Sequence, residues 1–449
     1  MTTMETSRPA AGGQRAPVRR LFRILSQAWG TERWRLEMWD GSAAGEADSP
    51  AFVLSLRSRR ALDRLIGDIP ERGFGRAYVE GSLDVAGLHA FLCRANELRP
   101  GRIARLVPGL LGAALALGAR PDPRGLQVEA RLRGRLHSKL RDRDAIRHHY
   151  DQPPGFYRLF LGRTMTYSCA YFERPDTDLD TAQEAKMELV CRKLRLRPGE
   201  RLLDIGCGWG GLVFHAAQHW GCRAVGITAS PAQAEWAARR AAELGLEGRA
   251  EVRLADYRDD LGPAFDAVAS VGMVEHVGRR GMPLYSRTVH RLLRPEGRAL
   301  IHGITTQPGS RGTGPFISSF VFPDGELQEA GAMVTALQDA GLEVRDVESL
   351  REHYALTLRN WVERLEASWD EAVRLVGPQR ARVWKLYMSG SRAGFELGSI
   401  AVHQVLAVRQ SAGGRSSLPL TREDWYRTPP AAPPQAPPTP AEARPTAAV

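Results

Sequence analysis

Three titratable side chains lie in short, distinctive segments of the chain: Glu275 in GMVEHVG, His302 in LIHGI and Tyr354 in HYALTLRNWVERL. A carboxylate, an imidazole and a phenol together can bind a small oxyanion, provided that the carboxylate accepts a hydrogen bond from a hydroxyl of that anion. Taken singly, each has an ordinary explanation, because the glutamate could cap a helix, the histidine could be a satisfied core residue and the tyrosine could simply pack. Their joint occurrence favours a reaction site.

A glycine-rich segment, LLDIGCGWGG at Leu202–Gly211, indicates a cofactor site. An apolar strand ends at Asp204 and is followed by Gly206, Gly208 and Gly210, which let the backbone approach a ligand closely at the carboxyl end of the strand. The spacing differs from the dinucleotide fingerprint GxGxxG, and no GK[ST] follows that would make it a phosphate loop.

The pattern D-x-G-x-G-x-G after a strand resembles the class I S-adenosylmethionine (SAM) dependent methyltransferases. In that family the acidic residue faces the methionine amino end and the glycines line the cofactor, which implies the first of these roles for Asp204. The second strand ends without an acidic residue, so Thr228 and Gln233 are expected to hold the ribose hydroxyls. Asp256, after the third strand and beside Tyr257, is placed to accept a hydrogen bond from the adenine amino group.

Five motifs, taken in order and spacing, resemble the cyclopropane-fatty-acyl-phospholipid synthases, and the mycolic acid cyclopropane synthases look similar. They are HYD at 149–151, YSCAYF at 167–172, GMVEHVG at 272–278, LIHGI at 300–304 and the segment around Tyr354. The resemblance is strong over 146–410 and weak over 20–120, where that family has a small lipid-binding domain. It implies transfer of a methyl(ene) group from SAM to the double bond of an unsaturated fatty acyl chain in phospholipid, which forms a cyclopropane ring.

In that family a bound bicarbonate ion is the general base, and the resemblance places its cage on matching positions of this chain. The cage would consist of the backbone of Cys169 and Ile304 and the side chains of Glu275, His302 and Tyr354.

Two further residues of the YSCAYF motif, Tyr167 and Ser168, are expected beside the cofactor. No metal is expected at either site.

One position departs visibly from the family pattern. After HYD the family usually continues with two residues and then Asn, whereas this chain has Pro154 in that place, directly after Pro153. Two prolines stiffen the segment and remove two backbone donors. The segment is expected near the acyl entrance or a cofactor lid, so methylene- or methyl-branching of the same acyl chains stays open.

An amine N-methyltransferase is a further alternative, since some plant alkaloid enzymes resemble this family.

Hydrophobic periodicity predicts an α/β protein, with a Rossmann-like class I methyltransferase domain preceded by a small α+β N-terminal domain. In the first part we expect a strand at 51–56, a helix at 58–68, a turn and strand at 73–80 and a helix at 85–97. In the second part, strands at 201–205, 224–227, 250–254, 265–271 and 299–304 alternate with helices at 211–219, 231–244 and 284–293. Such alternation indicates a parallel sheet with helices on both faces.

The expected organisation follows the changes in composition. It comprises a disordered segment at 1–18, a small lipid-binding-like domain at 19–120, a basic connector at 121–145, the methyltransferase domain at 146–410 and a Pro/Ala-rich tail at 411–449. The five cysteines are scattered, with no CxxC pair and no metal-ligand spacing, which predicts free thiols and no metal site.

A net charge of +11 points to an acidic partner, either nucleic acid or an anionic membrane surface. No nucleic-acid module with interleaved aromatic residues is visible, so a non-catalytic binder is the least favoured alternative. The apolar run Leu106–Gly118 is too short to span a bilayer, but it could form a buried helix or lie on a membrane between flanking arginines. We therefore expect a cytoplasmic protein, peripherally associated with the inner membrane surface, that meets unsaturated phospholipid there. By resemblance alone, a homodimer is plausible.

Overall fold

The computed structural model describes residues 16–98, 100–308 and 313–426. The chain divides into a large compact unit that ends at Ser416 and a small unit that begins at Ser417. The disorder predicted for 1–18 and the tail predicted for 411–449 fall largely outside the described residues. Residues 16–18 already belong to the first helix, so the predicted boundary at 18 was wrong, and a short helix, Glu423–Tyr426, lies within the predicted tail.

A small four-stranded sheet forms the centre of the N-terminal part. Its strands are β1 (Arg35–Met38), β2 (Ala43–Gly45), β3 (Val53–Leu56) and β4 (Leu83–Ala86), in the order β2-β1-β3-β4. Five helices accompany it: α1 (Ala16–Trp29), α2 (Arg59–Gly67), α3 (Pro70–Val79), α4 (Leu88–Asn96) and α5 (Pro100–Ala116). The predicted small α+β fold is thereby confirmed, and the helix predicted at 85–97 is a strand followed by a shorter helix.

The turn and strand predicted at 73–80 were wrong, because this segment belongs to helix α3. Pro70 occupies the first turn, where its fixed φ suits a helix and its missing N–H has no partner to lose. The two glycines that suggested a turn serve close packing instead. A Cβ on Gly73 would lie 2.6 Å from the backbone oxygen of Arg64, and one on Gly75 would overlap the ring of Phe316.

A seven-stranded sheet forms the centre of the C-terminal part. Its strands are β5 (Arg201–Ile205), β6 (Arg223–Thr228), β7 (Ala250–Leu254), β8 (Phe265–Val271), β9 (Leu293–Thr306), β10 (Glu343–Ser349) and β11 (Ile400–Val408), in the order β10-β11-β9-β8-β5-β6-β7. Strands β5 to β9 pair in parallel, and β11 runs antiparallel to both β9 and β10. All five predicted strands are present, but the sheet is mixed at one edge.

The described residues form ten helices around this sheet. They are α6 (Lys139–Tyr150), α7 (Pro154–Leu161), α8 (Leu179–Leu194), α9 (Gly211–His219), α10 (Pro231–Glu243), α11 (Val274–Leu292), α12 (Pro315–Phe320), α13 (Ala330–Asp339), α14 (Arg351–Ala367) and α15 (Trp369–Glu396). Helix α11 is interrupted at Gly278, whose φ is 69°, and α15 at Gly377, whose φ is 77°. The Arg382 guanidinium on α15 donates to the backbone oxygen of Tyr78, which joins α15 to α3.

Helix α5 contains the apolar run 106–118 as far as Ala116, where the helix ends, and leaves one apolar face uncovered. Val107, Leu111 and Leu115 are 43%, 37% and 51% exposed, whereas Ala113 and Ala114 of the same helix are buried. The run is therefore not a fully buried helix. Among the residues described, no helix combines the length and the hydropathy needed to cross a bilayer.

Candidate active site

A cavity of about 590 Å³ opens at the carboxyl end of β5. Strand β5 lies between β6 and β8, where the strand order reverses, and ligands of open α/β sheets bind at such a switch point. Nine of the ten predicted cofactor residues line this cavity: Tyr167, Ser168, Asp204, Gly206, Gly208, Thr228, Gln233, Asp256 and Tyr257.

Gly210 is not among the residues that line the cavity and has a structural role instead. It is the N-cap of α9 with a φ of 88°, and a Cβ at this position would lie 2.8 Å from the Phe214 ring. Gly206, with a φ of 80°, does line the cavity. Both positions require glycine, but only Gly206 brings its backbone to the ligand space.

Asp204 provides a buried carboxylate at this cavity. Its Oδ1 has no hydrogen-bond partner among the described residues, and burial raises the pKa of the carboxyl to about 7 although Lys186 opposes the rise. The Lys186 ammonium, itself buried, donates to Ser168 Oγ at 3.0 Å. Burial lowers the pKa of Lys186 to about 8. An unpaired buried acceptor of this kind fits a ligand that carries an ammonium or another N–H donor.

The side chains predicted to bind the ribose and the adenine already form hydrogen bonds within the protein. Thr228 Oγ1 donates to Gln233 Oε1 at 2.7 Å, so this pair lines the cavity as a unit. Both carboxylate oxygens of Asp256 accept from the Arg258 guanidinium at 2.6 Å, and Arg258 also binds Asp142 at 3.0 Å. The adenine contact of Asp256 stays a prediction, since it requires the carboxylate to accept from two partners.

The segment predicted as a basic connector contributes a wall of the same cavity. Residues 135–138 and Asp142 line it, and Lys139 and Arg141 bind Asp259 and Asp324 at 2.6 and 2.5 Å. These ion pairs fix the beginning of α6 against the loops that follow β7 and α12. The run is therefore more than a solvated stretch of charge.

A second, smaller cavity of about 60 Å³ adjoins the first. The two share Tyr150, Tyr167, Ser168, Gly272 and His276 as lining residues. All five residues predicted for the reaction line the smaller cavity: Cys169, Glu275, His302, Ile304 and Tyr354. The fold thus brings together motifs that lie up to 185 positions apart in the sequence.

Two polar atoms at this small cavity lack partners among the described residues. They are Glu275 Oε2 and His302 Nε2, both buried. The other carboxylate oxygen, Glu275 Oε1, accepts from the Ile304 N–H at 2.6 Å, so that N–H is already used. The Cys169 thiol lies 3.3 Å from the Ala170 carbonyl oxygen, which agrees with a backbone rather than a thiol role. Buried polar atoms without partners indicate a site for a small polar ligand.

Burial shifts the pKa values of Glu275 and His302 in opposite directions. Burial raises the pKa of Glu275 to about 7, although the Ile304 N–H opposes the rise. Burial, together with the charges of Lys186 and Lys193, lowers the pKa of His302 to about 3. The imidazole is therefore neutral at physiological pH, and the carboxyl titrates near neutrality, where a change of ligand can alter its charge.

The raised pKa of Glu275 predicts that the stability of the protein depends on pH. Because the folded-state pKa of Glu275 exceeds its unfolded value of 4.5, its stabilising contribution is complete below pH 4.5 and is lost as the pH rises through about 7. Glu275→Gln should therefore gain stability relative to the unmodified protein as the pH rises, by up to about 3 kcal/mol at pH 8. Urea unfolding of both proteins at pH 5 and pH 8 measures the difference. A difference that does not change with pH would contradict the buried, unpaired state of this carboxyl.

Aromatic rings enclose the small cavity, and several were not predicted as site residues. Tyr150, Phe322 and Tyr387 line it. The Phe322 ring centroid lies 5.6 Å from those of Tyr387 and His276. Tyr167 OH donates to Tyr387 OH at 3.1 Å. The HYD motif contains Tyr150 and could have identified it, whereas Phe322 and Tyr387 carry no local sequence signal.

The HYD segment supports the cavity, but its prolines stand apart from it. His149 Nε2 lies 3.2 Å from Tyr167 OH, and Pro154 begins helix α7. Proline at the first position of a helix sacrifices no hydrogen bond. Pro153 and Pro154 are not among the residues lining either cavity, and their expected place near the acyl entrance or a cofactor lid stays a prediction.

Comparison with the sequences of known proteins identifies the family. The family model described as mycolic acid cyclopropane synthetase matches residues 137–405. The chain is 42% identical over 415 residues to the probable fatty acid methyltransferase Rv3720 of Mycobacterium tuberculosis, which covers 89% of this chain and 96% of the relative. It is 32% identical to the cyclopropane-fatty-acyl-phospholipid synthase of Escherichia coli K12 over 76% of this chain and 84% of that protein.

A solved structure extends the match to three dimensions. The mycolic acid cyclopropane synthase CmaA1, complexed with SAH and CTAB, superposes with a TM-score of 0.56 at 34% identity and covers 59% of this chain and 98% of that one. The glycine loop, the unpaired Asp204 and the switch-point cavity agree with a site for SAM. The chain is a SAM-dependent methyltransferase and belongs to the mycolic acid cyclopropane synthetase family, together with the cyclopropane-fatty-acyl-phospholipid synthases.

Proposed function

We propose that this enzyme transfers a one-carbon unit from SAM to the double bond of an unsaturated acyl chain in phospholipid and closes a cyclopropane ring. The observation that carries this proposal is the small cavity beside the SAM site, in which Glu275 Oε2 and His302 Nε2 are buried without partners. The relatives named as cyclopropane synthases and fatty acid methyltransferases support a lipid acyl substrate.

The first requirement of the reaction is proximity in a dry site, because an isolated alkene is a poor nucleophile. When bound, SAM supplies its methyl carbon as an electrophile. The alkene electron pair would form the new bond to that carbon while the carbon–sulfur bond breaks, so a positive charge would develop on the second alkene carbon. Holding the two reactants in line supplies the orientation that the step needs.

The rings around the small cavity suit the charge that develops on the acyl chain. Tyr150, Phe322 and Tyr387 present aromatic groups to this space, and the negative faces of such rings attract a cation. The enclosure also excludes water, which would otherwise add to the charged carbon.

Ring closure requires removal of a proton from the newly attached methyl group. A bicarbonate ion bound in the small cavity would supply the base. The residues of the small cavity fit such an anion, because His302 Nε2 can donate to an oxygen while Glu275 Oε2 can accept from a hydroxyl. Cys169, Ile304 and Tyr354 complete the lining.

Substrate class is tested by presenting the purified enzyme and methyl-labelled SAM with three substrates in parallel. These are vesicles of monounsaturated phospholipid, vesicles of saturated phospholipid and a mixture of free amines. We expect label only in the acyl chains of the unsaturated vesicles. Label in the amines alone, or in the headgroups of both kinds of vesicle, would contradict the proposal and indicate an N- or O-methyltransferase.

The substrate resides in a bilayer, and we propose that the exposed face of α5 rests on its anionic surface. Val107, Leu111 and Leu115 form an uncovered apolar stripe, and the exposed Arg105 and Arg120 lie towards its two ends. An apolar face bordered by basic side chains is typical of helices that lie in the bilayer interface.

A double substitution tests this contact. Replacing Leu111 and Leu115 by glutamate is expected to reduce binding to anionic vesicles at least about tenfold, since two apolar contacts are lost and two repelled charges are added. Cosedimentation with vesicles measures binding, and SAM affinity serves as the control for folding. Unchanged cosedimentation would show that another surface contacts the membrane.

A further inference from the structure

A second layer of polar side chains lies directly behind His302. His302 on β9 pairs across the sheet with Gln404 on β11, and Gln404 Nε2 lies 3.2 Å from His302 Nδ1. Lys193 on α8 donates to Gln404 Oε1 at 2.7 Å and also binds Glu348 on β10. The side chains of His302, Gln404 and Lys193 are each about 1% exposed, so solvent does not compete for these contacts.

The chemistry of lysine fixes the direction of every hydrogen bond in this layer. An ammonium group can only donate, so the oxygen of the Gln404 amide faces Lys193 and its NH₂ group faces His302. A ring nitrogen that accepts from an NH₂ group carries no proton. The single proton of the neutral His302 imidazole therefore lies on Nε2, the atom without a partner at the small cavity.

We propose that Lys193 and Gln404 are positioning residues that hold His302 in its Nε2-protonated tautomer, so that it donates to the oxyanion in the small cavity. This inference rests on the proposed function for the role of the anion, but the tautomer itself follows from the protein contacts alone. Metal-ligand histidines are oriented by a partner on the second nitrogen in the same way. Here the oriented histidine serves an anion instead.

Gln404→Glu is the most discriminating variant. Glutamate has nearly the same shape and still accepts from Lys193, but an ionised carboxylate has no proton to donate. It accepts from His302 Nδ1 instead, which moves the ring proton to Nδ1 and converts Nε2 from donor to acceptor. Gln218→Glu, at an exposed position of α9, is the matched control with the same change of charge.

The readout is the pair of ¹⁵N chemical shifts of His302 in protein labelled at histidine, assigned by the signal that His302→Gln lacks. We expect a protonated Nε2 in the unmodified protein and in Gln218→Glu, and a protonated Nδ1 in Gln404→Glu. Acyl-product formation and its response to added bicarbonate should fall at least about tenfold in Gln404→Glu alone, with SAM affinity unchanged.

Three outcomes would overturn this inference: a protonated Nδ1 in the unmodified protein, an unchanged tautomer in Gln404→Glu, or a changed tautomer with full activity. If the added carboxylate prevents folding, Lys193→Met replaces it. Without the ammonium the Gln404 amide can turn over, so both tautomers should then be populated, and a single Nε2-protonated form would contradict the role of Lys193. Failure of the proposed function would show separately, as absence of acyl product from the unmodified enzyme.

A different cluster, whose residues line neither cavity, carries a second inference. His89 and Cys93 lie one turn apart on α4, and Glu396 is the last residue of α15. His89 Nε2 is 2.8 Å from Glu396 Oε2 and 3.6 Å from Cys93 Sγ, and the three ligand atoms all lie within 4.8 Å of one another. Ligand atoms around tetrahedral zinc are roughly 3.3–3.7 Å apart, so small side-chain shifts would admit the ion.

We infer that His89, Cys93 and Glu396 form a zinc-binding site that ties the N-terminal part to α15. A thiolate and a carboxylate together neutralise a divalent cation, the imidazole is a third ligand of a type that zinc prefers, and water would take the fourth tetrahedral position. The Arg392 guanidinium donates to the second oxygen of Glu396 at 2.8 Å and thereby orients the carboxylate. The same α15 contributes Tyr387 to the small cavity, so an ion here would brace a helix of the active site. The spacing of the cysteines predicted no metal site, because two of the three ligands are not cysteines.

Cobalt(II) tests this site in chelator-treated, full-length protein. We expect one equivalent to give a thiolate-to-cobalt charge-transfer band that zinc abolishes, and zinc to raise the Tm. Cys93→Ser should lose the band and the Tm increase, whereas Cys222→Ser, at a buried cysteine elsewhere, should keep both. An identical band in Cys93→Ser, or no band at one equivalent in the unmodified protein, would overturn the assignment.

Discussion

Glu275→Gln should lower acyl-product formation by at least about tenfold, which corresponds to about 1.4 kcal/mol of barrier. The carboxylate accepts from the Ile304 N–H and leaves its second oxygen unpaired at the small cavity, where the proposed anion would donate to it. Glutamine has the same shape, but the group that it presents there cannot replace the negative charge. Turnover of vesicle-bound substrate under saturating SAM measures the effect.

The controls separate chemistry from folding. SAM affinity of Glu275→Gln should be unchanged, and its stability should increase relative to the unmodified protein at alkaline pH. Glu243→Gln, at an exposed position of α10, should retain full activity. Near-normal turnover of Glu275→Gln would discredit the anion site, whichever lipid the enzyme uses.

Asp204→Asn is expected to weaken SAM binding by at least about tenfold, because a charge-assisted hydrogen bond contributes about 1.5–3 kcal/mol. Asp204 Oδ1 is buried without a partner at the end of β5, where the family places the methionine amino group. Isothermal titration calorimetry measures the change in Kd, and Asp260→Asn, an exposed aspartate, is the matched control.

The position of Lys186 beside Asp204 makes a stability control necessary for Asp204→Asn. Lys186 loses its nearby negative charge in Asp204→Asn, so a thermal melt must accompany the titration. A folded variant that binds SAM with an unchanged Kd would show that Asp204 is a structural residue and that another group holds the amino end.

The sequence predicted which residues meet at the site better than it predicted some of the surrounding structure. Asp204 lies at the end of β5, Glu275 follows β8 at the start of α11, and His302 lies in the C-terminal half of β9. Parallel strands bring such positions to one edge of a sheet. The resemblance predicted that the separate motifs form one site, and the fold confirms that Cys169 and Tyr354 line the same cavity. Gly210 was assigned to the cofactor but serves the turn into α9.

The errors arise where packing between distant segments decides the structure. Gly73 and Gly75 suggested a turn, but α3 needs them because Arg64 and Phe316 approach too closely for a side chain. The connector was described by its charge, whereas its ion pairs with Asp259 and Asp324 depend on loops more than 100 positions away.

Gln404 and Lys193 illustrate the same limit at the active site. Gln404 is one of two adjacent polar residues in an otherwise apolar strand, and Lys193 is one charge on a helix with many. Neither stands near a motif in the sequence. Their importance follows only from the cross-strand register of β9 and β11, which sets Gln404 opposite His302.

The most direct test of the central claim is mass spectrometry of the fatty acids released after incubation of enzyme, SAM and unsaturated phospholipid vesicles. We expect a gain of one CH₂ group per modified chain, in a product that mild hydrogenation no longer reduces. The same gain in a product that still takes up hydrogen would mean a methylene branch, and would contradict ring closure at the Glu275–His302 site. No gain, in enzyme that binds SAM, would contradict a lipid substrate altogether.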